Sequence, residues 1–384
     1  MGNVAHALAL LLAASTSEPG RKEEGFDALG VPLLSFSSDL GVGFGAVGGA
    51  YIYKKGYRPY RHAVSAQIFA TTRGVQNHFL RYDGPSLIGP LRFEAKLELR
   101  RELLSPYYGA GNLSSPEFDL DPDFSDPRFN FDKLAPGAWV RLRGSPVGPD
   151  HPLQIYGGYS FSWQRIIVFE DSLLEEERPV GIDGGATGQL LLGVQYDTRD
   201  NEGDPTRGGA EEVSLRVGAG ATGSAFNYSG LTLSERRFFH LGTPRLILAQ
   251  RLLLDALWGE VPFFEWSETG GLAPLDGVGG QSSVRGVPRN RFVGNVKVFS
   301  NTELRYYPFE FQLFGAPVSV GALAFFDVGR VWHPGVEDGS LLNWHPGLGG
   351  GLRLARRAAV VRTDVGLSTE TWRPRLYITF GHAF

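Results

Sequence analysis

Alternation of apolar and polar residues with a period of two runs through almost the whole chain, and helical periodicity is nearly absent. Across Arg245 to Leu257, the residues Leu246, Leu248, Leu252, Leu254 and Ala256 share one parity, while Arg245, Arg251 and Asp255 share the other. From Asn295 to Tyr307, the polar set Asn295, Lys297, Asn301, Glu303 and Arg305 lies opposite Val296, Val298 and Leu304. In the last segment Leu376, Ile378, Phe380 and Phe384 fall on one face, with Arg375, Tyr377 and Thr379 on the other. Strands this long with a continuous apolar face exceed what a soluble sandwich uses. They match tilted membrane-spanning strands of about 9–11 residues, apolar outside and polar inside.

Sixteen such segments can be marked: 31–37, 41–53, 62–72, 76–83, 91–102, 131–143, 152–167, 186–197, 211–218, 226–240, 244–257, 292–307, 316–332, 345–355, 358–368 and 374–384. An even number suits a closed bacterial barrel, in which every strand finds two partners and no backbone group is left unsatisfied in lipid. With a periplasmic N-terminus, the connectors 103–130, 168–185, 258–291 and 333–344 face outward and the alternate ones are mostly short, as in outer-membrane barrels. Aromatics gather near segment ends, for example Tyr51, Tyr53, Tyr57 and Tyr60, or Tyr306, Tyr307 and Phe309. No repeat of propeller length is present. The pattern predicts an all-β fold, a 16-stranded antiparallel transmembrane barrel spanning 31–384.

Composition narrows the remaining classes. A formal net charge of -4 gives no basic face for nucleic acid, so no nucleic-acid partner is expected. The chain has no cysteine, which excludes disulfides and thiolate metal sites. Val4 to Ala14 is a short apolar run followed by Ser15, Thr16 and Ser17, so residues 1–20 read as a signal peptide, although no Lys or Arg precedes the run. Residues 21–30 then form a short periplasmic lead-in. Asp119, Asp121, Asp123 and Asp126 lie close together, but Asn130 stands where a calcium loop needs its bidentate Glu, so they read as a solvated acidic loop. Glu175, Glu176 and Glu177 read as a surface run. No G-x-S-x-G or H-E-x-x-H occurs, and no catalytic residue, metal or cofactor is expected.

One loop carries specific chemistry. Gly279-Gly280-Gln281-Ser282-Ser283-Val284-Arg285-Gly286 places a single arginine among small residues, between segments that alternate like spanning strands. Downstream, Glu303 lies on the polar face of its strand, and Asp327 shares a face with Ser319 and Gly321 as well as Leu323 and Phe325. A guanidinium presents a fork of donors suited to a carboxylate.

Val284-Arg285-Gly286, preceded by Gly279-Gly280, resembles the V-R-G-[FY] signature of the BamA/TamA outer-membrane assembly factors, the bacterial surface antigen superfamily that includes two-partner secretion transporters. Tyr196-Asp197-Thr198-Arg199-Asp200 with Pro205-Thr206-Arg207-Gly208 is similar to the periplasmic turn after that family's eighth strand. Phe325-Phe326-Asp327-Val328-Gly329 with Val331-Trp332 resembles its F-x-D-x-G strand. Tyr107-Tyr108-Gly109-Ala110-Gly111-Asn112 is similar to a motif of members without periplasmic repeats.

The resemblance implies that the loop folds into the lumen and that Arg285 meets Asp327, with Glu303 as second partner, giving a latch of Val284, Arg285, Gly286, Glu303, Asp327 and Gly329. Val287 stands where the family has an aromatic. The C-terminal set Leu376, Ile378, Phe380 and Phe384 resembles the sorting signal read by the barrel-assembly machinery, which would insert this chain. The resemblance further implies a bacterial outer-membrane location, lipid contact, and action on unfolded outer-membrane polypeptides during insertion or translocation. Few residues precede the first segment, so periplasmic POTRA repeats are expected to be absent and a separate periplasmic partner would capture substrate. Alternatives are a passive or plugged channel and a surface structural or adhesive barrel.

Overall fold

Residues that alternate in polarity close into a ring of strands in the computed structural model, which describes residues 24–384 apart from 121–122, 150, 314–315 and 357–358. The first eight strands are β1 (Gly25–Ser37), β2 (Gly41–Tyr53), β3 (His62–Thr71), β4 (Val75–Ile88), β5 (Leu91–Pro106), β6 (Asn130–Gly144), β7 (Leu153–Ile167) and β8 (Gly185–Asp197). The second eight are β9 (Gly208–Gly218), β10 (Tyr228–His240), β11 (Leu246–Gly259), β12 (Val296–Leu313), β13 (Ala316–Trp332), β14 (His345–Arg356), β15 (Ala359–Ser368) and β16 (Pro374–Phe380). Each pairs antiparallel with its sequence neighbours, and β16 returns to β1 to close the barrel. The expected fold is therefore present.

Side-chain parity explains why the sheet closes. On β11, Leu252 and Trp258 point outward and are about half exposed, whereas Arg251, Leu253 and Asp255 point inward and are buried. Outward Leu34, Ile68, Leu97, Leu192, Phe326 and Leu352 continue this apolar surface around the barrel. An apolar band of that extent has to be covered by lipid. No helix among the described residues is long and apolar enough to cross a membrane.

Long connectors cluster at one end: 107–129, 168–184, 260–295 and 333–344. The other end has short turns such as 89–90 and 241–245. Long connectors at one end and short turns at the other are the asymmetry of outer-membrane barrels. Connector 260–295 turns inward and occupies the lumen.

Three placements differ from the alternation pattern. Strand β1 begins at Gly25, so residues 25–30 are wall and not lead-in. The proposed signal peptide lies outside the described residues. Strand β16 ends at Phe380, and Gly381, with φ +79°, turns the chain inward. Phe380, still paired with Val361, packs against the cluster of Leu33, Val47 and Phe79, and Phe384, beyond Gly381, is buried beside Phe238, with ring centroids 6.3 Å apart. Phe384 does not continue the parity of Leu376, Ile378 and Phe380, because the left-handed glycine ends the strand before it.

Leu252→Arg, at the middle of β11, should cost about 2–4 kcal/mol when the protein unfolds from a bilayer, whereas a half-exposed position on a water-facing surface would tolerate arginine within about 0.5 kcal/mol. Denaturant titration of liposome-inserted protein separates the two values, and the smaller would refute the lipid-facing assignment.

Candidate functional site

The lumen loop enters from β11 through a short helix, Phe263–Trp266, whose Phe263, Phe264 and Trp266 are buried with Tyr107, Phe131 and Leu257. Isolated bridges, Glu268 to Asp276 and Val278 to Phe292, then hold its two legs together. The tip turns through Gly279 (φ +114°) and Gly280 (φ +92°), and Gly280 N–H donates to the Val287 carbonyl at 2.9 Å. These conformations are open to glycine and closed to residues with a Cβ, which explains the two glycines before the arginine motif.

Arg285 sits in the tip of the loop with 1% of its surface exposed. Its Nε donates to Asp327 Oδ2 at 2.8 Å and its Nη2 to Oδ1 at 3.0 Å, a bidentate fork. The Arg285 backbone N–H donates to the same carboxylate at 3.1 Å. Nη1 reaches Glu303 at 2.6 Å and Asp364 at 3.2 Å. All three acids are 0% exposed. Burial alone would push the Arg285 guanidinium pKa down; Asp327 and Glu303 outweigh it and hold the group well above its ordinary value.

Each residue of the F-x-D-x-G strand now has a physical role. The Phe325 ring lies 3.6 Å below the guanidinium carbon. Asp327 receives the fork. Gly329 leaves room: a Cβ there would lie 2.7 Å from Val278 Cγ1 and 2.9 Å from Val284 Cγ2. The inward Leu323 and Phe325 that dilute the polar face of this strand are buried, Phe325 beneath the Arg285 guanidinium. Val284 and Val287 are buried in one cluster with Val278, Phe292, Phe299 and Val331. Each contributes on the order of 1.5–3 kcal/mol relative to exposure. Val287 thus anchors the stretch beyond Gly286 without an aromatic.

Gly286 presses the tip onto β15. Its φ is +97°, and an added Cβ would lie 2.4 Å from the Leu367 carbonyl carbon. The wall reciprocates, since a Cβ at Gly347 would meet the Arg285 carbonyl at 2.0 Å. Gly286 N–H also donates to Tyr377 Oη on β16 at 3.3 Å.

The expected Arg285–Asp327–Glu303 set is brought together, and Asp364 completes it. Asp364 is a lone acid at an inward position of β15, beside inward Arg362, and the same parity argument that singles out Glu303 would have found it. Around these acids stand Arg305, 2.7 Å from Glu303, and Arg353, 2.5 Å from Asp364. Two further loop arginines make pairs that the sequence does not advertise. Arg289 forks onto Glu102 of β5 at 2.8 and 3.1 Å, and its backbone N–H reaches Asp39 at 3.0 Å. Arg291 forks onto Asp119 at 2.7 and 3.0 Å.

The acidic stretch is therefore only partly solvated. Asp119 is a partner of the lumen loop, and Asp126 caps the turn at Pro127–Phe129. Glu177 likewise accepts from Tyr107 Oη, and Glu176 pairs with Arg128. Among the described residues no group of acids and histidines is placed to hold a metal.

Asn112 of the Y-Y-G-A-G-N motif joins three connectors. It is 0% exposed. Its Oδ1 accepts from Val331 N–H at 3.0 Å, its Nδ2 donates to the Asn343 carbonyl at 2.8 Å, and its N–H donates to Asp338 at 2.8 Å. The neighbouring Gly111 N–H bonds the Val293 carbonyl at 2.8 Å. The plug is thereby tied to a lid of outer connectors.

At the opposite end the wall is nearly open. Strand β1 pairs with β2 along its whole length, but with β16 only at Phe36–Ile378 and Ser37–Tyr377 among the described residues. A cavity lined by Leu33, Ser35, Phe69, Gln281, Thr379 and Phe380 lies against this seam. Beyond it His382, which burial pushes down to about 4, contacts Asp204 at 2.8 Å.

Residues 181–384 match the Omp85 superfamily domain. No curated protein matches the sequence. Among solved structures, the barrel is similar to BamA from Haemophilus ducreyi lacking POTRA domains 1–3, with TM-score 0.64 and 15% identity over 94% of this chain and 70% of that one. CdiB from Acinetobacter baumannii aligns with TM-score 0.53 and 14% identity over 93% of this chain and 59% of that one. CdiB from Escherichia coli gives TM-score 0.56 and 13% identity over 93% of this chain and 62% of that one. The chain thus spans about three-fifths of the length of either CdiB.

Arg285→Ala and Asp327→Ala should each cost about 3–5 kcal/mol, because each strands a buried charge. The double variant should cost clearly less than the sum. Denaturant unfolding together with proteolysis of the loop reads this out; additive costs would dismiss the pair as a latch.

Proposed function

The chain belongs to the Omp85 superfamily of outer-membrane β-barrels, and from that premise we propose that it assists the insertion or translocation of polypeptides at the outer membrane through the β1–β16 seam. The observation that carries this function is the brevity of the seam: two residue pairs join β1 to β16, against thirteen between β1 and β2. A strand edge without a full partner is a template for an added strand, with main-chain hydrogen bonds supplying affinity for many sequences. From Ala28 to Ser35, β1 has no β16 partner among the described residues and could take up such a strand. The adjoining cavity offers apolar Leu33, Phe69 and Phe380 to alternate side chains. No covalent chemistry is needed, so the protein acts as a transporter or assembly factor and uses no cofactor. Capture of unfolded outer-membrane polypeptides would fall to a separate periplasmic partner.

A cross-link across the seam tests this. The chain has no cysteine, so Phe36→Cys with Ile378→Cys introduces a single directly opposed pair. In liposomes, the reduced protein should speed the insertion of an unfolded barrel substrate, and oxidation should abolish the effect reversibly. No acceleration by the unmodified protein, or none lost on oxidation, would overturn the proposal.

The filled lumen favours one alternative, a plugged channel, since the loop spans from Arg100–Glu268 at 2.6 Å to Arg285–Asp364 at 3.2 Å on the far wall. Removal of residues 270–290 should then raise single-channel conductance in planar bilayers. Unchanged conductance would count against a channel.

A further inference from the structure

Arg330 occupies an unusual place. On β13 the inward residues are Leu323, Phe325, Asp327, Gly329 and Val331, so Arg330 shares the outward parity of Phe326 and Trp332. Phe326 is 50% exposed, as a lipid-facing residue is, yet Arg330 is 1% exposed. The difference arises because residues 338–343 of the outer connector, whose Asp338 and Asn343 also bind Asn112, cover the Arg330 guanidinium on the outward side. Arg330 Nη1 donates to the carbonyls of Ser340 and, at 3.0 Å, Asn343. Nη2 donates to those of Asp338 at 2.9 Å and Gly339 at 3.5 Å. Its guanidinium also lies 4.8 Å over the Trp332 ring. An arginine on the lipid side of a barrel is costly unless its donors are satisfied, and here the connector's own backbone takes both terminal nitrogens, while Nε–H has no partner among the described residues.

The clasped connector presents apolar side chains outward. Leu341 is 75% exposed and Leu342 is 88% exposed, the largest exposure of any bulky apolar residue among those described. Trp344 packs edge-on against Trp332, with centroids 6.1 Å apart and planes at 88°, and its Nε1–H bonds the Leu341 carbonyl at 3.0 Å. Trp163 and Trp258 also point outward near the outer ends of β7 and β11, about half exposed. Together they form the aromatic belt that marks a membrane–water interface.

We propose that residues 338–344 form a lipid-facing flap, clasped by Arg330, whose Leu341 and Leu342 insert into the outer leaflet. Lipid is the occupant because the flap lies on the outward face of the wall, is continuous with the apolar band through Trp332 and Phe326, and sits within the tryptophan belt. The flap would fix the depth of the barrel beside strands β13 and β14. It is independent of what passes through the seam.

Spin labels read this in the full chain, reconstituted in phospholipid liposomes. Because the chain has no cysteine, Leu342→Cys carries the only label. Leu352→Cys, on the outward face of β14, serves as the lipid control, and Glu176→Cys, exposed in connector 168–184, as the water control. Collision with oxygen should exceed collision with a water-soluble nickel chelate at position 342, as at 352 and in reverse of 176. Nickel access matching position 176 would overturn the flap, and so would a label shielded from both reagents, which would indicate a protein partner or a second copy. Arg330→Gln should shift position 342 toward the water profile and leave 352 unchanged. If it does not, Arg330 is not the clasp; if that variant fails to insert, the Leu342→Cys measurement still decides whether the flap meets lipid.

Discussion

A guanidinium with almost no contact to water can remain in a barrel wall only if carboxylates surround it, and the interior is arranged around that demand at Arg285. Three acids from three strands, Glu303 on β12, Asp327 on β13 and Asp364 on β15, converge on it. Arg305, Arg353 and Arg362 follow because three buried carboxylates within a few ångströms would otherwise repel one another. Buried ion pairs of this kind contribute little net stability, since desolvation consumes most of the attraction. What they supply is register. A loop displaced by one residue would leave four guanidinium groups and three carboxylates mismatched in a dry interior, so only one placement of the tip is tolerable.

That placement propagates. With Arg285 held, Gly286 must lie against the backbone of β15, and Gly329, Gly347 and Gly366 must lack side chains. Val284 and Val287 then fill the apolar space beneath the loop, and Arg289 and Arg291 carry the connection to Glu102 and Asp119. The plug is therefore coupled to β5 and to the outer connectors on one side and to Tyr377 of β16 on the other. Movement of the seam and movement of the loop share residues, which gives a physical route by which one could depend on the other.

The two faces of the wall solve one electrostatic problem differently. Inside, arginines are matched by acids. On the lipid side, Arg330 is matched by backbone carbonyls, whose dipoles shield the charge without placing a carboxylate against hydrocarbon. Arg251 is an intermediate case in the lumen, bonded to the neutral oxygens of Asn301, Ser282 and Ala383.

Strand parity is a local property, set by the pleat, so the alternation of Leu252 with Arg251 or of Val298 with Glu303 was legible along the chain, as were the strand count and the long outer connectors. The Arg285–Asp327 pair was legible through the resemblance of Val284-Arg285-Gly286 and Phe325–Gly329 to the family's motifs, which implied an in-folded loop meeting an acid of the wall. Asp364 obeys the same parity rule, between Thr363 and Val365, but no motif residue marks it. Other features required the closed ring. The pairs Arg289–Glu102 and Arg291–Asp119 join residues more than 170 positions apart, and only the path of the loop across the lumen brings them into contact. The inward turn at Gly381, which takes Phe384 off the strand face and leaves the seam short, depends on the interior having space for that ring beside Phe238. The fold of connector 333–344 over Arg330 likewise depends on where neighbouring strands end. The sequence by itself determined which side of each strand meets lipid; the tertiary structure decided which charges meet, because pairing across a lumen is set by closure and not by spacing.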